Sequence, residues 1–339
     1  MDLCREAESW YGLYHKDYDL ATPESMAHPA KCSWDLAFKI NEHLEELGLL
    51  KLGDTVLDFM AGTSRIPIAA CAKGYKAIAV ELEEKFIKFS EANRDYASKK
   101  LGREIELKVI QGDARRLSEL LQGHNLIGQI SPPYGDMCHP TNYLGKEKRE
   151  SCQEYSDNPG NIGNLPDRGY IGEVSPPYED ALTSSSQHGN SGIAAREPKL
   201  GNLGRYGVVS KGQIGQEQGQ TYLEAMRQVY AEALKVCSVL VVITKNPTRK
   251  GKLRRLDLDT LALLQEVGWK VICQHRAILF TEQEQATLFG KTQKKVKGRM
   301  SFFKRLSWQK GSPVAQWEDV VFCVRDGEGA CPTDKLPRQ

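Results

Sequence analysis

The chain has 339 residues, of which 40% are hydrophobic and 27% charged, and its formal net charge is +2. Such a chain can bury a large core in one big domain or two small ones. Its longest apolar runs, such as Ser238-Val239-Leu240-Val241-Val242-Ile243, are far too short to cross a bilayer. The start, Met1-Asp2-Leu3-Cys4-Arg5-Glu6, lacks a secretory pattern, and the nine cysteines form no CxxC pair. These features point to reduced thiols in a cytoplasmic compartment. The adjacent couple Cys138-His139 has no further ligands at metal spacing, so no metal site is expected.

The segment to about Pro29 is rich in aromatics (Trp10, Tyr11, Tyr14, Tyr18) and is expected to pack across the sheet or the mouth of a ligand site. Simple packing at the core edge is an equal reading. Phe38, Ile40, Leu44 and Leu47 recur near helical spacing between Ser33 and Leu47. Thr55-Val56-Leu57-Asp58-Phe59 reads as a buried strand and Met60-Ala61-Gly62-Thr63-Ser64 as a tight turn, with a helix starting near Arg65-Ile66-Pro67. This strand, small-residue turn and helix brings backbone N–H groups against a polar or anionic ligand. A second strand, Lys76–Val80, ends on Glu81, placed to accept from ribose hydroxyls. Phe86, Phe89 and Tyr96 mark the following helix. A third strand over Glu106–Ile110 leads to Gln111-Gly112-Asp113-Ala114, and a fourth over Leu126–Ile130 leads to Ser131. The polar elements thus lie at the carboxyl ends of successive strands, where open α/β sheets bind ligands.

The fourth strand runs into Ser131-Pro132-Pro133-Tyr134, and the same tetrapeptide returns at Ser175-Pro176-Pro177-Tyr178. Two prolines make a stiff corner without backbone donors, so its carbonyls and Ser hydroxyl suit an exocyclic amine, while Tyr offers a stacking face. Residues 135–219 break the alternating pattern and are rich in Gly, Ser, Asn and Gln. They carry a weak repeat, in which each corner is followed by a Gly-x-Ile-Gly: Gly160-Asn161-Ile162-Gly163, then Gly212-Gln213-Ile214-Gly215. The first copy is preferred as the reactive corner because it follows Asp113 at ordinary spacing. The second directly precedes the helix at Tyr222 and stays a rival; the other copy would shape a cleft or aid recognition.

Leu223, Met226, Val229, Tyr230, Ala233 and Leu234 form an apolar helical stripe. A strand over Val239–Thr244, a helix near Leu256–Val267 and strands near Val271–Phe280 and Asp319–Val324 follow. The last two strands are expected to form the antiparallel end of the sheet. Between them lies a basic loop with Lys291, Lys294, Lys295, Lys297, Arg299, Lys304 and Arg305 and no acid. A smaller cluster holds Lys245, Arg249, Lys250, Lys252, Arg254 and Arg255. Beside a base-gripping motif, both suggest salt-sensitive phosphate contact.

Over roughly residues 27–134 and 220–325 the chain resembles the amino-group DNA methyltransferases that use S-adenosylmethionine. Asp58-Phe59-Met60-Ala61-Gly62-Thr63 looks like their cofactor loop, with Phe59 for the usual Pro and Ser64-Arg65 for a Gly-containing end. Glu81 matches their ribose ligand, Asp113, followed by Ala114, their adenine-contacting acid, and Ser-Pro-Pro-Tyr their catalytic motif. His28-Pro29-Ala30-Lys31 looks like the segment flanking the methionine end of the cofactor. The likeness is greatest to solitary modification methylases of phages and mobile elements.

The resemblance implies an α/β, Rossmann-like methyltransferase sheet, mostly parallel with an antiparallel strand at its C-terminal end and helices on both faces. It divides the chain into an N-terminal segment (1–32), a cofactor-binding half (33–134), a recognition insertion (135–219), the rest of the domain (220–326) and a tail (327–339). It implies S-adenosylmethionine as cofactor and double-stranded DNA with a flipped target base as partner, and it leaves open whether a cognate restriction nuclease accompanies the protein. Ser at the head of the corner resembles enzymes that make N4-methylcytosine more than those that make N6-methyladenine. Carbon-5 methylation needs a Pro-Cys nucleophile, and Cys152 lacks the Pro. An RNA base, a protein glutamine amide, or a silent DNA-binding relative are the other readings.

Overall fold

Alternation along the central strands sets the architecture, because successive strand side chains leave opposite faces of a sheet. The computed structural model describes residues 8–14, 20–27, 32–121, 126–133, 161–162, 222–249, 252–286, 292–298, 311, 313 and 315–325. In β6 (Cys237–Thr244), Val239, Val241 and Ile243 enter one core, while Leu240 and Val242 enter a second on the opposite face. The first core takes Leu36 and Ile40 of α1 (Trp34–Glu46), Ile68 of α2 (Arg65–Ala72) and Ala97 of α3 (Glu84–Leu101). The second takes Leu117 of α4 (Leu117–Leu120), Met226 of α5 (Tyr222–Val236) and Leu263 of α6 (Leu256–Glu266). Each fully buried aliphatic side chain among them contributes roughly 1.5–3 kcal/mol.

The remaining strands of the main sheet are β1 (Glu8–Trp10), β2 (Thr55–Asp58), β3 (Lys76–Glu81), β4 (Leu107–Gln111), β5 (Leu126–Ile130), β9 (Trp269–Ile278) and β12 (Trp317–Arg325). Their order across the sheet, eight strands among the described residues, is β1-β9-β12-β6-β5-β2-β3-β4. β2 to β6 pair in parallel, β12 is antiparallel to both β6 and β9, and β1 is parallel to β9. This is the Rossmann-like sheet expected from the sequence, with its antiparallel strand and helices on both faces.

Residues 8–10 form an edge strand against β9, so this part of the aromatic N-terminal segment takes the core-edge packing that was one of its two readings. Two parts differ from the sequence reading. Part of the expected basic loop is a strand, β11 (Thr292–Gly298), in a hairpin with β10 (Phe280–Ala286). A small hairpin, β7 (Thr248–Arg249) with β8 (Lys252–Leu253), carries part of the second basic cluster. Polar, charge-rich hairpins escape a hydrophobic-period reading, because backbone pairing alone defines them. Among the described residues no helix is long and apolar enough to cross a membrane.

Candidate functional site

Strand order reverses between β2 and β5: the chain proceeds outward through β3 and β4, then returns to the other side of β2. Such a switch point opens a crevice at the strand carboxyl ends. The cleft found there encloses about 820 Å³, part of it open to solvent. Its walls are the ends of β2 (Asp58, Phe59), β3 (Glu81, Leu82, Glu83), β4 (Gly112, Asp113, Ala114) and β5 (Ser131, Pro133).

The loop from Met60 to Ser64 is held from several sides. The Ala61 amide donates to the Val80 carbonyl at 3.2 Å, and the Met60 amide to Oδ1 of Asp58 at 3.0 Å. The Gly62 amide donates to Oε2 of Glu81 at 2.7 Å, while Oε1 of Glu81 accepts from the Glu83 amide at 2.9 Å. Beneath the loop, Ser90 donates to the Gly62 carbonyl and Asn93 to the Thr63 carbonyl, at 3.0 and 2.9 Å. Ser64 has φ 59°, the left-handed region that an L side chain enters at a cost. Its fully buried hydroxyl donates to Oγ of Ser90 at 2.8 Å. Ser64 therefore supports the loop from behind and is not among the lining residues.

Gly112 sits where a Cβ would come within 2.3 Å of a Leu120 methyl, so any other residue there would require the Leu120 side chain to move. Asp113 beside it lines the cleft, yet its carboxylate is engaged by Arg115, whose Nε lies 3.0 Å from both oxygens. Asp113 also caps the short 3-10 turn at Ala114–Arg116, accepting from the Arg115 amide at 2.9 Å.

Burial pushes the Asp58 carboxyl up to about 8 against its Met60 hydrogen bond, and the charge of Glu81 adds to the shift. Burial likewise pushes Glu81 up to about 7, opposed by the amides of Glu83, Gly62 and Leu82. Two buried carboxyls in one cleft favour a ligand with positive charge or hydroxyl donors.

Of the residues singled out in the sequence, Asp58, Phe59, Ala61, Gly62, Thr63, Glu81, Asp113, Ala114, Ser131 and Pro133 line this one cleft. Pro132 is buried beside them. His28, Pro29, Tyr134, Ser175, Pro176, Pro177, Tyr178, Lys291, Arg299, Lys304 and Arg305 lie outside the described residues. Lys294, Lys295 and Lys297 stand on β11, where Lys294 is in register with Glu284. In the smaller cluster Arg254 pairs with Asp259, and Arg255 with Asp257 at 2.8 Å, so those two cations are neutralised within the chain.

The sequence reading missed Cys32, Arg65, Glu83 and Asn161 in the lining. Asn161 donates to Oε1 of Glu83 at 2.9 Å, and Ile162 enters the core beneath the cleft. The sign was the Gly-Asn-Ile-Gly of the repeated unit: a single aliphatic residue in a polar insertion is an anchor. Arg65, at the start of α2, reaches the Cys32 carbonyl at 3.1 Å and lies over the Trp34 ring.

No protein-family model and no curated protein matches the chain. Similar solved structures include TrmN from Thermus thermophilus, with TM-score 0.41 and 11% identity over 89% of this chain; the chain spans about half, 52%, of that protein. Magnesium protoporphyrin IX methyltransferase (ChlM) from Synechocystis PCC 6803 with bound SAH has TM-score 0.41 and 8% identity, covering 86% of this chain and 83% of that one. An SAM-dependent methyltransferase from Agrobacterium tumefaciens has TM-score 0.38 and 11% identity, covering 86% and 60%. At these scores and identities the likenesses carry no argument about chemistry, which rests on the cleft.

Proposed function

We propose that this protein is an S-adenosylmethionine-dependent methyltransferase that modifies the exocyclic amine of a flipped DNA base, N4 of cytosine before N6 of adenine. The observation that carries the reading is the convergence of Asp58, Glu81 and Ser131-Pro133 on one cleft at the switch point of the sheet.

The residues suit that cofactor. The Glu81 oxygens already accept from the backbone amides of Gly62 and Glu83, which fixes the carboxylate and leaves further acceptor capacity for a ribose diol. Burial of Asp58 and Glu81 in one cleft favours a ligand carrying a sulfonium and an ammonium. Arg65 supplies a cation in the lining for a carboxylate, and Leu82, Ala114 and Ile162 supply apolar surface for an adenine ring. S-adenosylmethionine supplies, when bound, a methyl group activated by its sulfonium.

The chain's own work is orientation. An aromatic amine is a poor nucleophile because its lone pair is delocalised into the ring. The Ser131 hydroxyl and the Pro132 carbonyl accept from the NH2 and draw it toward sp3 character, and Tyr134 stacks on the everted base. Alignment supplies most of the acceleration, with no covalent enzyme intermediate. DNA affinity comes from the cations of residues 291–305, and recognition from residues 135–219.

The test incubates purified protein with methyl-labelled cofactor and mixed DNA, digests the product to nucleosides and identifies the labelled one by mass. N4-methylcytosine is expected. Labelled N6-methyladenine reassigns the base, label entering only RNA or protein removes the DNA reading, and absence of cofactor binding makes the chain a silent relative. Tyr134→Ala should abolish transfer while Tyr178→Ala should retain it; the reverse moves the reactive corner to the second copy.

A further inference from the structure

We propose that His43, Cys273 and His275 form a binding site for one transition-metal ion of the zinc class, fastening α1 and the N-terminal strand β1 to the β9 edge of the sheet. The site lies away from the methyltransferase cleft, on strands at the other end of the sheet. Cys273 and His275 are two apart on β9 and so project to one face, toward His43 of α1. One ligand atom from each residue lies within 4.8 Å of the others.

Two of the ligand-to-ligand distances come close to those of a metal polyhedron. With metal–nitrogen bonds near 2.0–2.1 Å and a metal–sulfur bond near 2.3 Å, tetrahedral edges are about 3.3 Å for N···N and about 3.6 Å for S···N. Here Sγ of Cys273 is 3.6 Å from Nε2 of His43, and the two Nε2 atoms are 3.0 Å apart.

Proton positions give the second argument. Nδ1 of His43 lies 3.2 Å from Oε2 of the Glu46 carboxylate. A carboxylate only accepts, so this Nδ1 carries the proton and the His43 Nε2 lone pair faces His275. Nδ1 of His275 is buried without a hydrogen-bond partner, and the carboxylate of Glu8 lies 3.6 Å from it. If His275 is protonated on Nε2, it satisfies His43 but turns a lone pair toward Glu8. If it is protonated on Nδ1, two lone pairs confront each other across 3.0 Å.

A cation between the Nε2 atoms resolves the conflict. Both Nδ1–H groups then point at carboxylates, the arrangement that orients imidazole ligands in metal sites. The surroundings are dry and stiff: the Trp10 ring stacks on His275 at 4.3 Å and Phe322 stands edge-on to His43 at 4.9 Å. A thiolate with two imidazoles selects zinc over hard cations such as magnesium. Three protein ligands leave a fourth position for water.

The test takes the full chain, stripped with chelator, dialyses it against zinc and measures metal per protein beside Cys273→Ser and His275→Gln. One zinc per chain is expected, held at least about tenfold more weakly by either variant. Cobalt in its place should show tetrahedral d–d bands and a thiolate charge-transfer band that Cys273→Ser loses, a conservative change that tests the site even if His275→Gln misfolds. A parent chain that retains no zinc overturns the proposal, as does retention that neither variant weakens.

Discussion

The Gly62 amide and Oε2 of Glu81 are joined by a 2.7 Å hydrogen bond that ties the turn after β2 to the end of β3. One carboxylate therefore does two jobs, shaping the loop and facing the cleft. Glu81→Gln leaves a donor amide against the Gly62 or Glu83 N–H. S-adenosylmethionine binding, followed by calorimetry, should weaken by about ten- to a hundredfold, the worth of a hydrogen bond to a charged acceptor. Unchanged affinity would remove Glu81 from the binding site.

Stability of the unliganded protein should fall as pH rises between about 6.5 and about 8. Asp58 and Glu81 hold protons in the folded chain, at about 8 and about 7, that the unfolded chain has already released at its ordinary carboxylate values. Such raised groups contribute stability present below the unfolded pKa and lost as pH climbs through the folded one. His275, lowered to about 4, acts with opposite sign but only below its unfolded value of 6.5. The slope is on the order of 1 kcal/mol per pH unit per retained proton. Denaturant midpoints across this window should drift downward, and Asp58→Asn should flatten the drift; a parent profile that is level or rising contradicts it.

Ser131→Ala should lower kcat for methyl transfer about a hundredfold, as loss of one oriented hydrogen-bonding group does elsewhere. Cofactor affinity should stay near the parent value, because in the proposed reaction the hydroxyl would serve the amine. Single-turnover rates and calorimetry on the same preparation separate the two effects.

Ser64 holds a left-handed conformation and the buried bond to Ser90 at once. Ser64→Ala loses the bond and keeps the strain, whereas Ser64→Gly loses the bond but relieves about 1 kcal/mol of strain. Urea titration should find Ser64→Gly more stable than Ser64→Ala by about that amount. Equal midpoints would mean that the positive φ costs the backbone nothing.

Duplex DNA binding should weaken steeply with salt. Replacing Lys294, Lys295 and Lys297 together by Ala should reduce the slope of log affinity against log salt by roughly 0.9 for each phosphate that is no longer neutralised. A slope that does not change would remove β11 from the DNA interface. The same changes at Arg254 and Arg255 should alter the slope less, since Asp259 and Asp257 already neutralise them.

Much of the site was legible because it is local. β2, the Met60–Ser64 turn and α2 are contiguous, and Glu81, Asp113 and Ser131 each close a strand whose apolar run announces it. A parallel sheet brings those ends to one edge, so order along the chain predicts convergence in space. The Ser-Pro-Pro corner is likewise written in two residues whose φ is restricted by their own rings.

Tertiary structure decided whatever depends on partners distant in sequence. Asn161 reaches Glu83, and Ser64 turns from the cleft to Ser90, because packing, not residue type, chose their partners. His43 meets Cys273 and His275 only after α1 lies on β9, an approach that spans 230 positions for the thiol. Composition and local periodicity determine the apolar strands of the main sheet and the helices beside them, but not the polar hairpins β7–β8 and β10–β11, which backbone pairing alone defines. Which side chains then face each other is set by the packing of two cores on a twisted sheet, and that information is not local.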